Sequence, residues 1–115
     1  MTRHDDSLYL QHMLESTTKA ITFVQDKSRM DYDQDEILRL ALLHLIQTIG
    51  EAARNVSQSF QDAHPQIPWK PIMGIRHRIV HNYADVDDDV VWKTVSTDLP
   101  PLLEALSKIV SSKAE

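Results

Sequence analysis

An all-α fold, an up-and-down bundle of four to five helices, is what this chain predicts, and three observations carry that expectation. Its 115 residues include only 2 glycines and 5 prolines, which leaves little material for tight hairpins. The apolar residues are mostly Leu, Ile, Val and Ala, and they recur at three- and four-residue intervals, the period of a helix that buries one face. One segment, His64-Pro65-Gln66-Ile67-Pro68, reads convincingly as a loop.

The first helix is marked by Leu8, Leu10, Met13, Leu14, Thr17, Ile21 and Val24, with Asp5 or Asp6 as its N-cap. A polar break follows from Asp26 to Asp33. A second, longer helix is expected from near Asp33 to about Asp62, carrying Ile37, Leu38, Leu40, Leu42, Leu45, Ile46, Ile49, Val56 and Phe60. The apolar density between Leu40 and Ile46 predicts burial on more than one side. Gly50 interrupts this helix at roughly 1 kcal/mol against alanine, which a close helix–helix approach would justify. Pro68 suits the first turn of a third helix, with Trp69, Ile72, Ile75 and Ile79 on its buried face. The aspartates at 85, 87, 88 and 89 read as the N-terminus of a fourth helix, where the dipole favours negative charge. Val90, Val91, Val95 and Leu99 form its inward side. Pro100-Pro101 should kink or restart it before Leu102, Leu106 and Ile109.

A chain of this length is expected to form one domain around a single core. The absence of cysteine removes disulfides, thiol nucleophiles and thiolate metal sites together, and it suits a reducing cytosol. The first six residues lack an apolar signal core, and no apolar run approaches the ~20 residues of a membrane helix. A cytoplasmic protein with no membrane partner is therefore expected. The net charge of −5 argues against a protein that coats nucleic acid, but not against one that grips a few phosphates in a local groove.

Such a groove has one place to lie. No acidic residue occurs between Asp62 and Asp85, a window that holds Lys70, Arg76, Arg78 and three histidines. Within it stands Arg76-His77-Arg78-Ile79-Val80-His81-Asn82-Tyr83. Arginine is a permanent cation that can fork onto a phosphate, and histidine exchanges protons near neutral pH. On a straight helix Arg76 and His81 would diverge by about 140°, while Arg76 and Tyr83 would share a face. Convergence of Arg76 and His81 therefore requires that the helix end near the motif or that a second copy complete the site. A long helix with three apolar stripes leaves surface to spare for such a dimer.

Each residue also has a bland reading. Arg76 could pair with an aspartate of the 85–89 cluster, His81 could bond a helix-terminal carbonyl, and Tyr83 could pack its ring with its hydroxyl in water. Trp69 and Trp92 read as core or dimer-interface residues. His77 and His81 have the i, i+4 spacing of a metal pair, but Arg78 stands where a zincin helix carries glutamate and would repel a cation. No metal or other cofactor is expected. Nucleophile-elbow, glycine-rich phosphate-loop and EF-hand patterns are absent.

The octet fits the Arg–X4–His–X–Tyr signature of the HEPN superfamily, and the chain most resembles the HepT-like toxins of prokaryotic toxin–antitoxin pairs. The likeness extends to Asp6 and Leu10, to Ile49-Gly50-Glu51-Ala52-Ala53, to Ile67-Pro68-Trp69 with Ile72, and to Val91-Trp92 and Leu99-Pro100. His77 stands where many relatives carry asparagine. The resemblance implies a homodimeric, metal-independent endoribonuclease. In it His81 would be the general acid/base, Arg76 the phosphate clamp, and His77 and Asn82 supporting contacts. The RNA 2′-hydroxyl would attack the adjacent phosphorus and leave a 2′,3′-cyclic phosphate. The resemblance also implies a separate nucleotidyltransferase antitoxin that silences the chain by attaching AMP to Tyr83. The competing expectation is a non-catalytic helical dimer that binds a nucleotide or that nucleotidyltransferase.

Overall fold

The structure, a computed structural model, describes residues 5–82 and 85–114. It is mostly helical, as expected, with one short antiparallel pair of strands. Helix α1 (Asp6–Val24) starts at Asp5, whose carboxylate accepts the Ser7 amide at 3.0 Å. The polar break expected after it contains a one-turn helix, α2 (Arg29–Asp33). Ser28 and Asp31 cap it reciprocally, satisfying two otherwise orphaned amides.

The single long helix expected from Asp33 to Asp62 is two helices, α3 (Glu36–Asn55) and α4 (Gln58–Ala63). Long-range bonds break it at Ser57, whose amide and hydroxyl both donate to the Asp6 carboxylate, at 2.8 and 2.7 Å. The same Ser57 hydroxyl accepts the Phe60 amide and so starts α4. Gln61 then turns back to donate to the Val56 carbonyl at 3.0 Å, closing the end of α3.

The third expected helix is also divided, into α5 (Trp69–Met73) and α6 (Ile75–Ile79), with Gly74 between them. Arg54, in the last turn of α3, donates twice to the Met73 carbonyl and holds this junction in place. Gly50 sits where the two layers meet. A Cβ there would lie 3.0 Å from the Ile72 carbonyl oxygen and 3.3 Å from a methyl of Ile75, so a side chain would make these neighbours shift by a few tenths of an ångström. The close approach inferred from sequence is the reason for this glycine.

The chain leaves α6 not as more helix but as β1 (Val80–Asn82), which pairs with β2 (Asp85–Val86). Asp87 caps α7 (Asp88–Lys93), so the aspartate cluster does begin a helix, with Asp85 left in the strand. The double proline is accommodated by a π-helical turn (Thr94–Asp98) ahead of α8 (Leu99–Ala114). Widening the register there absorbs carbonyls that prolines cannot bond.

The core lies between α1, α3 and α8. Leu10, Met13 and Ala20 meet Leu42, Ile46 and Ala53, with Leu106 closing the third side. Trp69 is buried in this core, and Trp92 packs against the Tyr32 ring at a centroid distance of 5.6 Å. The second buried side expected for α3 is not covered within the chain: Ile37 and Leu40 are 81% and 59% exposed. Among the described residues, no helix is long and apolar enough to cross a membrane.

Candidate active site

Where α6 ends decides the geometry of the octet. The Ile79 carbonyl accepts the Asp87 amide at 2.7 Å, a bond that competes with helix continuation. Over Val80–Asn82 the backbone is a strand, so these side chains do not follow a helical stripe. Tyr83 lies outside the described residues.

Arg76, His77 and Asn82 come together on the wall of an open cleft of about 840 Å³. The opposite wall is the polar face of α3, with His44, Thr48, Glu51 and Arg54. Glu51 belongs to a segment that carries the family likeness, but sequence alone assigns no site role to any of the four, although their three- and four-residue spacing beside Gly50 is a readable polar stripe. The cleft sets two arginines, Arg54 and Arg76, against one carboxylate, Glu51, with the imidazoles of His44 and His77 beside them. Arg76 and His77 are exposed, and neither side chain has a hydrogen-bond or ion-pair partner among the described residues. Arg78 faces elsewhere, lining an apolar recess of about 540 Å³ beside Ile72 and Leu102.

His81 does not line the cleft. It sits where the strand register slips, since Val80 pairs with Val86 and Asn82 with Asp85, leaving His81 as the extra residue. Such a bulge re-aims a side chain, and here the His81 Nε2 lies 3.4 Å from Asp87 Oδ2. Its side chain stays 50% exposed. The Asp87 carboxyl is held below the usual carboxylate range, chiefly because it accepts the Val90 amide and also through the contact with His81.

The aspartate cluster is otherwise engaged by α2. The Tyr32 hydroxyl donates to Asp88 at 2.7 Å, and Arg29 bridges Asp33 and Asp89 at 2.8 and 2.7 Å. Burial, and then its bond to Asp88, push the Tyr32 phenol well above its ordinary pKa and keep it a donor. The arginine–aspartate pairing considered for Arg76 is thus made by Arg29. His77 and His81 do not form a chelating pair, because one is on helix and the other on strand. Among the described residues no group of three or more His, Asp or Glu side chains is arranged to hold a metal.

Chemically, the cleft offers a free guanidinium and an imidazole on one wall, with a second, carboxylate-linked imidazole just outside it. That is a set of groups suited to holding a phosphate and moving protons beside it. Comparison with known proteins agrees with this class. The chain belongs to the HepT-like ribonuclease family, whose model matches residues 13–109.

It is 30% identical to a Methanocaldococcus jannaschii protein named "Putative RNase", over 89% of this chain and 94% of that one. It is 33% identical to the "Probable ribonuclease HepT" of Thermococcus cleftensis, over 84% of this chain and 91% of the relative. A "Putative RNase" of Caldanaerobacter subterraneus subsp. tengcongensis is 30% identical over 91% of this chain and 94% of its own length. No solved structure matches.

Proposed function

We propose that the chain is the toxin of a toxin–antitoxin pair, an endoribonuclease that cuts RNA without a metal in a cleft shared by two copies. The observation that carries this reading is the Arg76 guanidinium, without a partner among the described residues, on the wall of a cleft that also holds Arg54, with a half-exposed His81 five residues on. Arg76 clamps the scissile phosphate and stabilises the charge that builds on it. His81 of one protomer takes the proton of the 2′-hydroxyl as that oxygen attacks phosphorus. The bond from phosphorus to the 5′-oxygen breaks, and the second His81 returns a proton to the leaving oxygen. His77 and Asn82 position the backbone on either side. The products are a 2′,3′-cyclic phosphate and a 5′-hydroxyl, and DNA, lacking the nucleophile, is spared.

The test is cleavage of a labelled RNA by the purified chain in excess EDTA. Full activity with a cyclic-phosphate product is expected. Loss of activity in EDTA and recovery with zinc would replace this mechanism with a metal-dependent one. A chain that binds nucleotides tightly but cuts no RNA would favour the non-catalytic binding module.

Control is assigned to Tyr83. Its phenol is two residues from His81, and AMP on it would set a bulky anion against incoming RNA phosphates. Incubation with the nucleotidyltransferase partner and ATP should add the mass of AMP to the wild type and not to Tyr83→Phe. A Tyr83→Phe chain that gains the same mass would place the modification elsewhere.

A further inference from the structure

We infer that Asp87 is the positioning residue for His81, orienting its ring and stabilising the imidazolium that forms when it takes a proton. This rests on the reading of His81 as the proton-transfer residue.

Besides its carbonyl, which accepts the Val91 amide within α7, Asp87 is fixed by three bonds. Its amide donates to the Ile79 carbonyl at 2.7 Å, one carboxylate oxygen accepts the Val90 amide at 3.2 Å, and the other faces His81 Nε2 at 3.4 Å. The first bond ties the end of α6 to the start of α7. The second makes Asp87 the N-cap of α7, and the third reaches the bulged residue of β1. A carboxylate with one oxygen held by the helix it caps does not wander, so its second oxygen presents a fixed acceptor to the ring. With Nε2 on that acceptor, the neutral ring carries its proton there and leaves the Nδ1 lone pair free to accept another.

The charged groups on the neighbouring elements support the assignment. Asp88 and Asp89 follow on α7, but Tyr32 and Arg29 of α2 engage them. Asp85 lies across the ladder on β2, paired in register with Asn82 and not with His81. The basic groups of α6 point elsewhere, Arg76 and His77 into the cleft that His81 does not line and Arg78 into the apolar recess. Asp87 is the carboxylate of this cluster within ion-pair distance of the ring. Helix capping alone does not call for its charge, since Asn and Ser cap about as well as Asp.

That equivalence gives the experiment. Asp87→Asn keeps the shape and cap and removes the charge, while Asp87→Ser keeps the cap and withdraws the side chain from His81. Both variants of the full chain should melt within a few degrees of the wild type. Both should lose about tenfold in kcat with little change in KM. That is far less than the roughly 10⁴-fold loss for a fully buried aspartate–histidine pair, because solvent screens this one. The Nε2 resonance of the His81 ring, followed by NMR, should shift in both, because the carboxylate that faces it is gone. An unchanged Nε2 resonance, or variants that cleave at the wild-type rate, would overturn the role of Asp87 and leave the nuclease reading standing. A wild-type chain that cuts no RNA would sink the nuclease reading, and the Nε2 resonance would still decide whether Asp87 couples to His81.

Discussion

Replacing His81 with alanine is expected to slow RNA cleavage by about 10²–10⁴-fold, the usual contribution of a positioned proton-transfer group. In the proposed two-copy cleft the substitution would remove both copies of the residue at once. Stability should barely change. The His81 side chain is half exposed, and Asp87 keeps its bonds to Val90 and Ile79 without it.

Arg76→Lys is expected to cost about 10²–10³-fold, comparable to removing one fixed donor from a developing oxyanion. An ammonium preserves the charge, but it cannot reproduce the planar fork of the guanidinium. Arg76 is exposed and unpaired among the described residues, so this variant too should fold normally. Single-turnover rates with saturating enzyme, beside melting curves, separate lost chemistry from lost fold. A His81→Ala chain cutting within a few-fold of the wild-type rate would end the role assigned to that residue.

The comparison of sequence with structure follows the range of the interactions. Caps are local, and Asp5 and Pro68 stand where sequence placed a helix start. Gly50 was legible because a glycine within a strong apolar pattern needs a steric reason, and Ile72 and Ile75 supply it. The breaks were harder to see. The division of α3 from α4 depends on Asp6, which lies 51 residues from Ser57 and bonds both its amide and its hydroxyl. The end of α6 depends on an amide eight residues further on, at Asp87.

The last of these reshaped the candidate site. Along a continuous helix, Arg76 and Tyr83 would have shared a face. With the helix ended at Ile79, Asn82 joins Arg76 and His77 at the cleft, while His81 turns to Asp87. Sequence posed the choice between a helix end and a second copy, and the helix end alone leaves His81 outside the cleft of its own chain. Under the proposed mechanism, arginine and histidine would therefore meet through a second copy.

On α3, Ile37 and Leu40 are exposed, and continuing along the same face at three- and four-residue steps come His44, Gln47 and Glu51, which line the cleft. An apolar patch that runs directly into a polar cleft wall is what a two-fold contact beside a shared site would need. Burying an exposed Ile or Leu contributes about 1.5–3 kcal/mol. If the two copies met there across a symmetric interface, each residue would count twice and the pair would decide between dimer and monomer at micromolar concentration, since every 1.4 kcal/mol or so is tenfold in affinity.

The double variant Ile37→Glu, Leu40→Glu should therefore run at the monomer mass of 13.2 kDa where the wild type runs at about twice that. It should keep its helical content, because neither side chain is part of the chain's own buried core. RNA cleavage should fall to the level of the His81→Ala chain, although every motif residue is still present. Light scattering over a concentration series, paired with cleavage assays at each point, gives the answer. A double variant that is monomeric and still cleaves at the wild-type rate would show that one chain suffices, and the meeting of Arg76 with His81 would then have to occur within it.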